Sequence, residues 1–154
     1  MRRIMITIVG GLLLTVGAAA CSAEDVAENA VEKAGGGDVD IETGGDVPDC
    51  FPDGAPVPDG SVQGGIGVGE GTAAVCSFIV DVDGGAAAAL ADYRSELEDK
   101  GFTVGFDTSN AGSFAFGVTK GDVGILVGAT ENGGTTSISI TSGSADVGGG
   151  APPG

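Results

Sequence analysis

Apolar and polar residues alternate most clearly between Ala74 and Val82. Cys76, Phe78, Val80 and Val82 share one side of an extended chain, and Val75, Ser77, Ile79 and Asp81 share the other. That period of two predicts a strand with one buried face. Asp83-Gly84-Gly85 breaks it, and Asp83 is the expected N-cap of a helix. From Ala86 to Lys100 the period changes: Ala86, Leu90, Tyr93 and Leu97 form a narrow stripe, with Asp92, Arg94, Glu96, Glu98, Asp99 and Lys100 elsewhere. Glu96 and Lys100 stand in the favourable i, i+4 order, and Gly101 suits a left-handed helix terminus. Alternation then returns in four segments: Phe102/Val104/Phe106, Phe114/Phe116/Val118, Val123/Ile125/Val127 and Thr136/Ile138/Ile140. Lys120-Gly121 and Asn132-Gly133-Gly134 are hairpin signals between them. Short turns between alternating strands make an antiparallel meander, whose apolar face the single amphipathic helix can cover. The predicted fold is α+β: one helix on a five- or six-stranded, mostly antiparallel sheet, within residues 48–141.

The flanks lack such periodicity. Residues 61–68 place Val62, Ile66 and Val68 among glycines, a poor strand. Residues 48–60 contain Pro-Asp-Gly twice and predict an ordered, turned lead-in. Residues 21–47 are expected to be a flexible acidic linker. Ala23–Ala34 is compatible with about three helical turns, marginal for an isolated helix. Gly35-Gly36-Gly37 and Gly44-Gly45 bracket the acidic run Asp38-Val39-Asp40-Ile41-Glu42. As a coil, about 26 residues reach on the order of 25–30 Å. Residues 142–154, rich in Gly, Ser and Pro, are expected to be a disordered tail.

The first twenty residues differ from all of this. Arg2 and Arg3 precede an apolar run from Ile4 to Val16, and Gly17-Ala18-Ala19-Ala20 leads into Cys21. A basic start, an apolar stretch and a small-residue exit predict a secretory signal over residues 1–20. Residues 1–22 resemble the signal of bacterial prolipoproteins, with Ala18-Ala19-Ala20-Cys21 in the place of the lipobox. The resemblance implies a diacylglyceryl group on the Cys21 thiol, cleavage before it, and anchoring on the extracytoplasmic face of the cell membrane. Ala18 stands where that family usually has Leu. Two other exits stay open: an Ala18-x-Ala20 site that would release a soluble secreted protein, and an uncleaved span, for which the 17 apolar or small positions of residues 4–20 are at the lower limit. Cysteine arithmetic favours the lipid. The chain has three cysteines, and acylation of Cys21 leaves Cys50 and Cys76 as an even pair expected to form a disulfide. The strand–helix–meander order and Pro-rich lead-in of residues 48–141 also loosely resemble small domains of uncharacterised secreted bacterial lipoproteins, which implies no activity.

Charge narrows the partners. The chain has 22 acidic and 6 basic residues, a net of −16; without residues 1–20, which hold Arg2 and Arg3, 22 face 4, a net of −18. Nucleic acid is excluded as a partner, since its recognition needs a positive surface. A polybasic grip on anionic lipid is excluded as well. Membrane attachment therefore has to come from the lipid anchor. Thirty-one glycines and six phenylalanines supply core material for one small domain.

Candidate chemistry is sparse. With no histidine, the usual near-neutral base and commonest metal ligand are missing. No Ser-x-x-Lys occurs. Asp81-Val82-Asp83-Gly84 faintly resembles the start of a calcium loop, but Gly85 and Ala86 occupy positions where a ligand and a glycine are required, and only Asp92, at position 12 and within the expected helix, fits. Asp38, Asp40 and Glu42 read as a solvated acidic run. The glycines from Gly64 to Gly71 lack the Lys and the strand–loop–helix setting of a phosphate loop. We therefore expect no catalytic residues, no metal and no cofactor. The expected function is a membrane-anchored, non-catalytic envelope domain binding a protein, polymer or small ligand. Val75, Ile79 and Leu126, opposite the core set, are its candidate contact residues. A carboxylate-dependent envelope hydrolase is the alternative.

Overall fold

The computed structural model describes residues 39–69, 73–110 and 113–149. Seven strands form one sheet: β1 (Val39–Glu42), β2 (Ser61–Val68), β3 (Val75–Asp83), β4 (Thr103–Asn110), β5 (Ser113–Lys120), β6 (Val123–Asn132) and β7 (Thr135–Ser144). Helix α1 (Ala86–Asp99) links β3 to β4, and a short α2 (Ala145–Gly149) follows β7. The sheet order is β1-β2-β3-β7-β6-β5-β4, with every neighbouring pair antiparallel. The meander β4 to β7 thus folds back to lay β7 against β3, and α1 crosses the face between them. Among the described residues the fold is mostly β, with two helices.

One face of the sheet is the core face. Phe78, Val80 and Val82 of β3, Phe116 and Val118 of β5, Ile125 and Val127 of β6, and Ile138 and Ile140 of β7 are buried there against Ala86, Leu90, Tyr93 and Leu97 of α1. The two periods visible in the sequence therefore meet in one apolar layer. The helix ends as expected. Gly101 adopts φ 86°, Gly101 N donates to Glu98 O and Phe102 N donates to Leu97 O, the paired bonds of a Schellman terminus. The start differs from expectation. Asp83 is the last residue of β3, Gly85 is the N-cap without a side-chain bond, and the Ala86 amide donates to the Glu131 carboxylate of β6 at 3.4 Å. An acid from a neighbouring strand thus satisfies a free helix donor. Nor do Glu96 and Lys100 pair. Arg94 bridges Glu98 at 3.9 Å and Asp107 on β4. The ammonium of Lys120 donates to the Lys100 carbonyl at 2.7 Å and lies over the Phe102 ring.

The lead-in covers the part of the core face that α1 does not reach. The Phe51 ring meets Phe78 edge-on with centroids 4.9 Å apart, and the Tyr93 hydroxyl donates to the Pro56 carbonyl at 3.0 Å. Burial pushes the Tyr93 phenol far above its ordinary pKa, with Glu96 adding to the shift, so it stays a neutral donor. We expect Tyr93→Phe to lower unfolding free energy by about 1 kcal/mol, because it deletes one bond to a half-buried carbonyl. Denaturant titration followed by far-UV circular dichroism reads this directly.

The strand count corrects the expected five or six. β2 forms despite its glycines because the lead-in needs their flatness. A side chain at Gly65 would stand 2.6 Å from Pro48, and one at Gly67 would collide with the Cys50 sulfur. β1 takes residues expected in the linker and pairs Val39 through Glu42 with Val68 through Gly65. The expected tail is corrected as well: Ser142 to Ser144 complete β7, and Ala145–Gly149 forms α2 against the second sheet face. That contact is made between glycines. A side chain at Gly124 would approach Gly148 N within 2.5 Å, and one at Gly117 would collide with Gly148 O. Small-on-small packing of this kind leaves no hydrophobic period.

Two bulges reset the faces. An extra residue at Gln63 lies between the pairs Val62–Val80 and Gly64–Ile79. Another at Gly105 lies between Val104–Val118 and Phe106–Gly117. The even spacing of Val104 and Phe106 predicted a shared face; the bulge sends Val104 to the core and Phe106 to the opposite face. The two expected hairpins form. Gly121 has φ 61° after Lys120, and Gly133 and Gly134 both have positive φ between Asn132 and Thr135.

Candidate functional site

Cys21 and the rest of residues 1–38 lie outside the described residues. The other two cysteines are joined: Cys50 and Cys76 form a disulfide with Cα atoms 5.8 Å apart, closing a separation of 26 residues. Cys76 is fully buried beneath the lead-in. The bond fixes Cys50 over Gly67 and so seats the lead-in on β2 and β3.

The acidic residues are spread out. Asp81 accepts a hydrogen bond from Ser137 on β7 at 2.6 Å, so its carboxylate is engaged within the sheet. Asp83 ends β3, Gly84 has φ 101°, and Asp92 lies on α1. The residues of the faint calcium-loop pattern are therefore distributed over a strand, a turn and a helix. Asp40 and Glu42 lie on β1 opposite Gly67 and Gly65. Gly64 to Val68 form part of β2 rather than a phosphate-cradling loop. Among the described residues no group of three or more His, Cys, Asp or Glu is placed to hold a metal ion.

Three concavities have distinct chemistry. A cleft of about 560 Å³ lies beside the disulfide, lined by Asp40, Asp49, Asp53, Phe51 and Pro52 among others. A groove of about 210 Å³ runs between the end of the lead-in and α1, with Asp59, Asp83, Asp92 and Glu96 on its walls. Among the described residues, this groove and the cleft beside the disulfide each bring several carboxylates together, and they are where the hydrolase alternative would have to operate. The third, also about 210 Å³, is a shallow depression on the sheet face away from α1, lined by Phe106, Ala115, Leu126, Gly128, Ser139 and Thr141.

That second face, here the open face, holds the residues chosen from the sequence. Val75, Ile79 and Leu126 are 42 %, 44 % and 36 % exposed. Ile66 and Val68 join them at 38 % and 42 %. The sequence did not single out these two, because their even spacing from Val62 suggested a common face. The Gln63 bulge leaves Val62 on the core side and turns Ile66 and Val68 to the open face, opposite Ser77 and Val75. Phe106 arrives by the same device at Gly105. The polar groups between these apolar residues are bonded within the sheet. Ser77 and Thr141 share a hydroxyl–hydroxyl bond at 3.2 Å, Ser139 donates to Gly128 O and Thr108 donates to Ala115 O. An aliphatic surface with satisfied hydroxyls suits contact with another apolar surface better than recognition of a polar ligand.

Among the described residues no helix is long and apolar enough to cross a membrane. No protein-family model matches the chain, and neither a curated protein nor a solved structure matches it significantly.

Proposed function

We propose that the protein is a lipid-anchored, non-catalytic domain of the bacterial cell envelope, held to the extracytoplasmic face of the membrane by an acyl group on Cys21. The observation that carries this reading is the Cys50–Cys76 disulfide, which leaves Cys21 as the odd cysteine, directly after a signal-like segment. An exported chain with one unpaired cysteine at a small-residue exit is best accounted for by lipidation of that cysteine. The strongly acidic composition supports the same assignment, because it offers no electrostatic hold on anionic lipid and leaves attachment to the anchor. The open face, with its five exposed aliphatic side chains, is the contact surface of the domain. The carboxylate-lined groove at α1 and the cleft beside the disulfide are the places that the hydrolase alternative would use.

The test is fractionation of cells producing the wild-type chain and Cys21→Ala. The wild type is expected in the membrane fraction, resisting high salt and released by detergent. Cys21→Ala is expected as unacylated precursor or as soluble protein released at Ala20. A Cys21→Ala chain acylated and retained like the wild type would overturn the anchor.

A further inference from the structure

The structure also says what can lie on the open face. Among the described residues, the register places only two charged residues of the sheet on it, Asp81 and Asp83, both at the end of β3. Helix α2, which covers the opposite end, brings Asp146. The chain as a whole holds 22 acidic residues. The strand acids that the sequence places elsewhere, Asp40, Glu42, Asp107 and Glu131, sit at core-side positions. The open face is thus the surface through which two copies of so acidic a chain can meet with least repulsion. The hydroxyls of Ser77, Ser137, Ser139 and Thr141 are already bonded to one another or to the sheet, so covering these four strands few donors. Among the described residues the strands offer a sugar polymer one aromatic ring on this face, Phe106. A bilayer would meet aliphatic groups flush with the sheet and no basic rim.

The shape favours a second copy. Exposed Leu126 forms part of the wall of the depression that the small residues Ala115 and Gly128 also line, and exposed Ile79 adjoins it through its strand partner Ser139. Ridge and hollow on one face are self-complementary under a two-fold axis, the commonest symmetry of homodimers. We infer that the open face is the interface of a homodimer in which Ile79 and Leu126 of each copy pack into the hollow of the other. The inference rests on the reading of this face as a contact surface, and it is independent of the lipid anchor.

The test is sedimentation velocity of the full chain, purified in mild detergent from whichever fraction of its cells holds it, across a salt series. A dimer is expected whose fraction rises with salt, because salt screens the repulsion between acidic copies while leaving the apolar contact intact. Ile79→Asp and Leu126→Asp should each weaken the dimer at least about 100-fold, since each places like charges across the contact. Ser139→Glu should act in the same way without removing an aliphatic group, so the test survives if an aliphatic replacement misfolds. Ala88→Asp, on the exposed side of α1, should leave the dimer unchanged. A wild-type chain that stays monomeric at every salt, or a dimer insensitive to all three open-face substitutions, overturns the inference. Hydrogen exchange in native membranes separates that failure from failure of the contact surface itself. A monomer whose β3, β6 and β7 amides are better protected in membranes than in detergent refutes the dimer alone, and equal protection refutes both.

Discussion

Phe78→Ala is expected to destabilise the domain by about 3–5 kcal/mol, a large share of the roughly 5–15 kcal/mol that holds a domain of this size together. Phe78 is 1 % exposed and lies where three parts of the molecule meet. Its strand, β3, is central in the sheet, with β2 on one side and β7 on the other. Its ring receives the edge of Phe51 from the lead-in, and its Cβ lies close above the bare backbone of Gly65. Truncation therefore opens a cavity that the neighbours are poorly placed to fill. Gly65 has no side chain to move into it, and Phe51 is held beside the Cys50 bridge. The midpoint of thermal unfolding should fall by about 12–20 °C at roughly 4 °C per kcal/mol. A fall of less than about 4 °C would show that the lead-in does not pack on β3 as described.

Removing the Cys50–Cys76 bridge with the double substitution Cys50→Ala/Cys76→Ala is expected to cost about 3 kcal/mol, mainly by freeing the unfolded chain. Alanine is the suitable replacement because Cys76 is fully buried and a serine hydroxyl there would need a new partner. In urea the midpoint should fall by about 2 M and the slope should rise, since an unfolded chain without a cross-link exposes more surface. Limited proteolysis should then cut within residues 43–60 well before the sheet, because the lead-in keeps only non-covalent contacts with the core, those of Val47, Pro48, Phe51, Ala55 and Val57 and the Tyr93 bond to Pro56. Phe78→Ala combined with bridge removal should cost less than the sum of the two. Both changes loosen the same segment, and neighbouring sites are not additive. An unchanged urea midpoint after removal of the bridge would contradict this account of the lead-in.

The elements legible in the sequence were those with an unbroken period. β3, α1, β5, β6 and β7 all follow alternation or a helical stripe, and Gly101 and Gly133-Gly134 mark termini that form as expected. The disulfide followed from counting cysteines. Where legibility failed, the cause was local. β1 and β2 are poor in apolar side chains because their partners press close: Pro48 and Cys50 occupy the space that side chains at Gly65 and Gly67 would fill. Helix α2 packs through Gly148 on Gly117 and Gly124, a contact with no apolar signal. The bulges at Gln63 and Gly105 reverse the face of every later residue in their strands, so spacing alone misplaced Ile66, Val68 and Phe106. The open-face candidates Val75, Ile79 and Leu126 were legible because no bulge interrupts β3 or β6. The N-cap was missed because its partner, Glu131, is 45 residues away in the chain.

These features fit a division of labour along the chain. Residues 1–20 are read as the export signal, Cys21 as the attachment, and the sheet as the part presented at the membrane surface. In the proposed arrangement, a net charge of −18 without residues 1–20 would keep the chain off anionic lipid, while the open face, with few charged residues, would remain available for contact. This arrangement depends on the modification of one residue, and that is where the account is most directly tested. Mass spectrometry of the N-terminal peptide, from protein isolated out of the membrane fraction of its native cells, should show a chain beginning at Cys21 and carrying a diacylglyceryl group on the thiol. A mature chain beginning at Cys21 with an unmodified thiol, or one retaining residues 1–20, would contradict it.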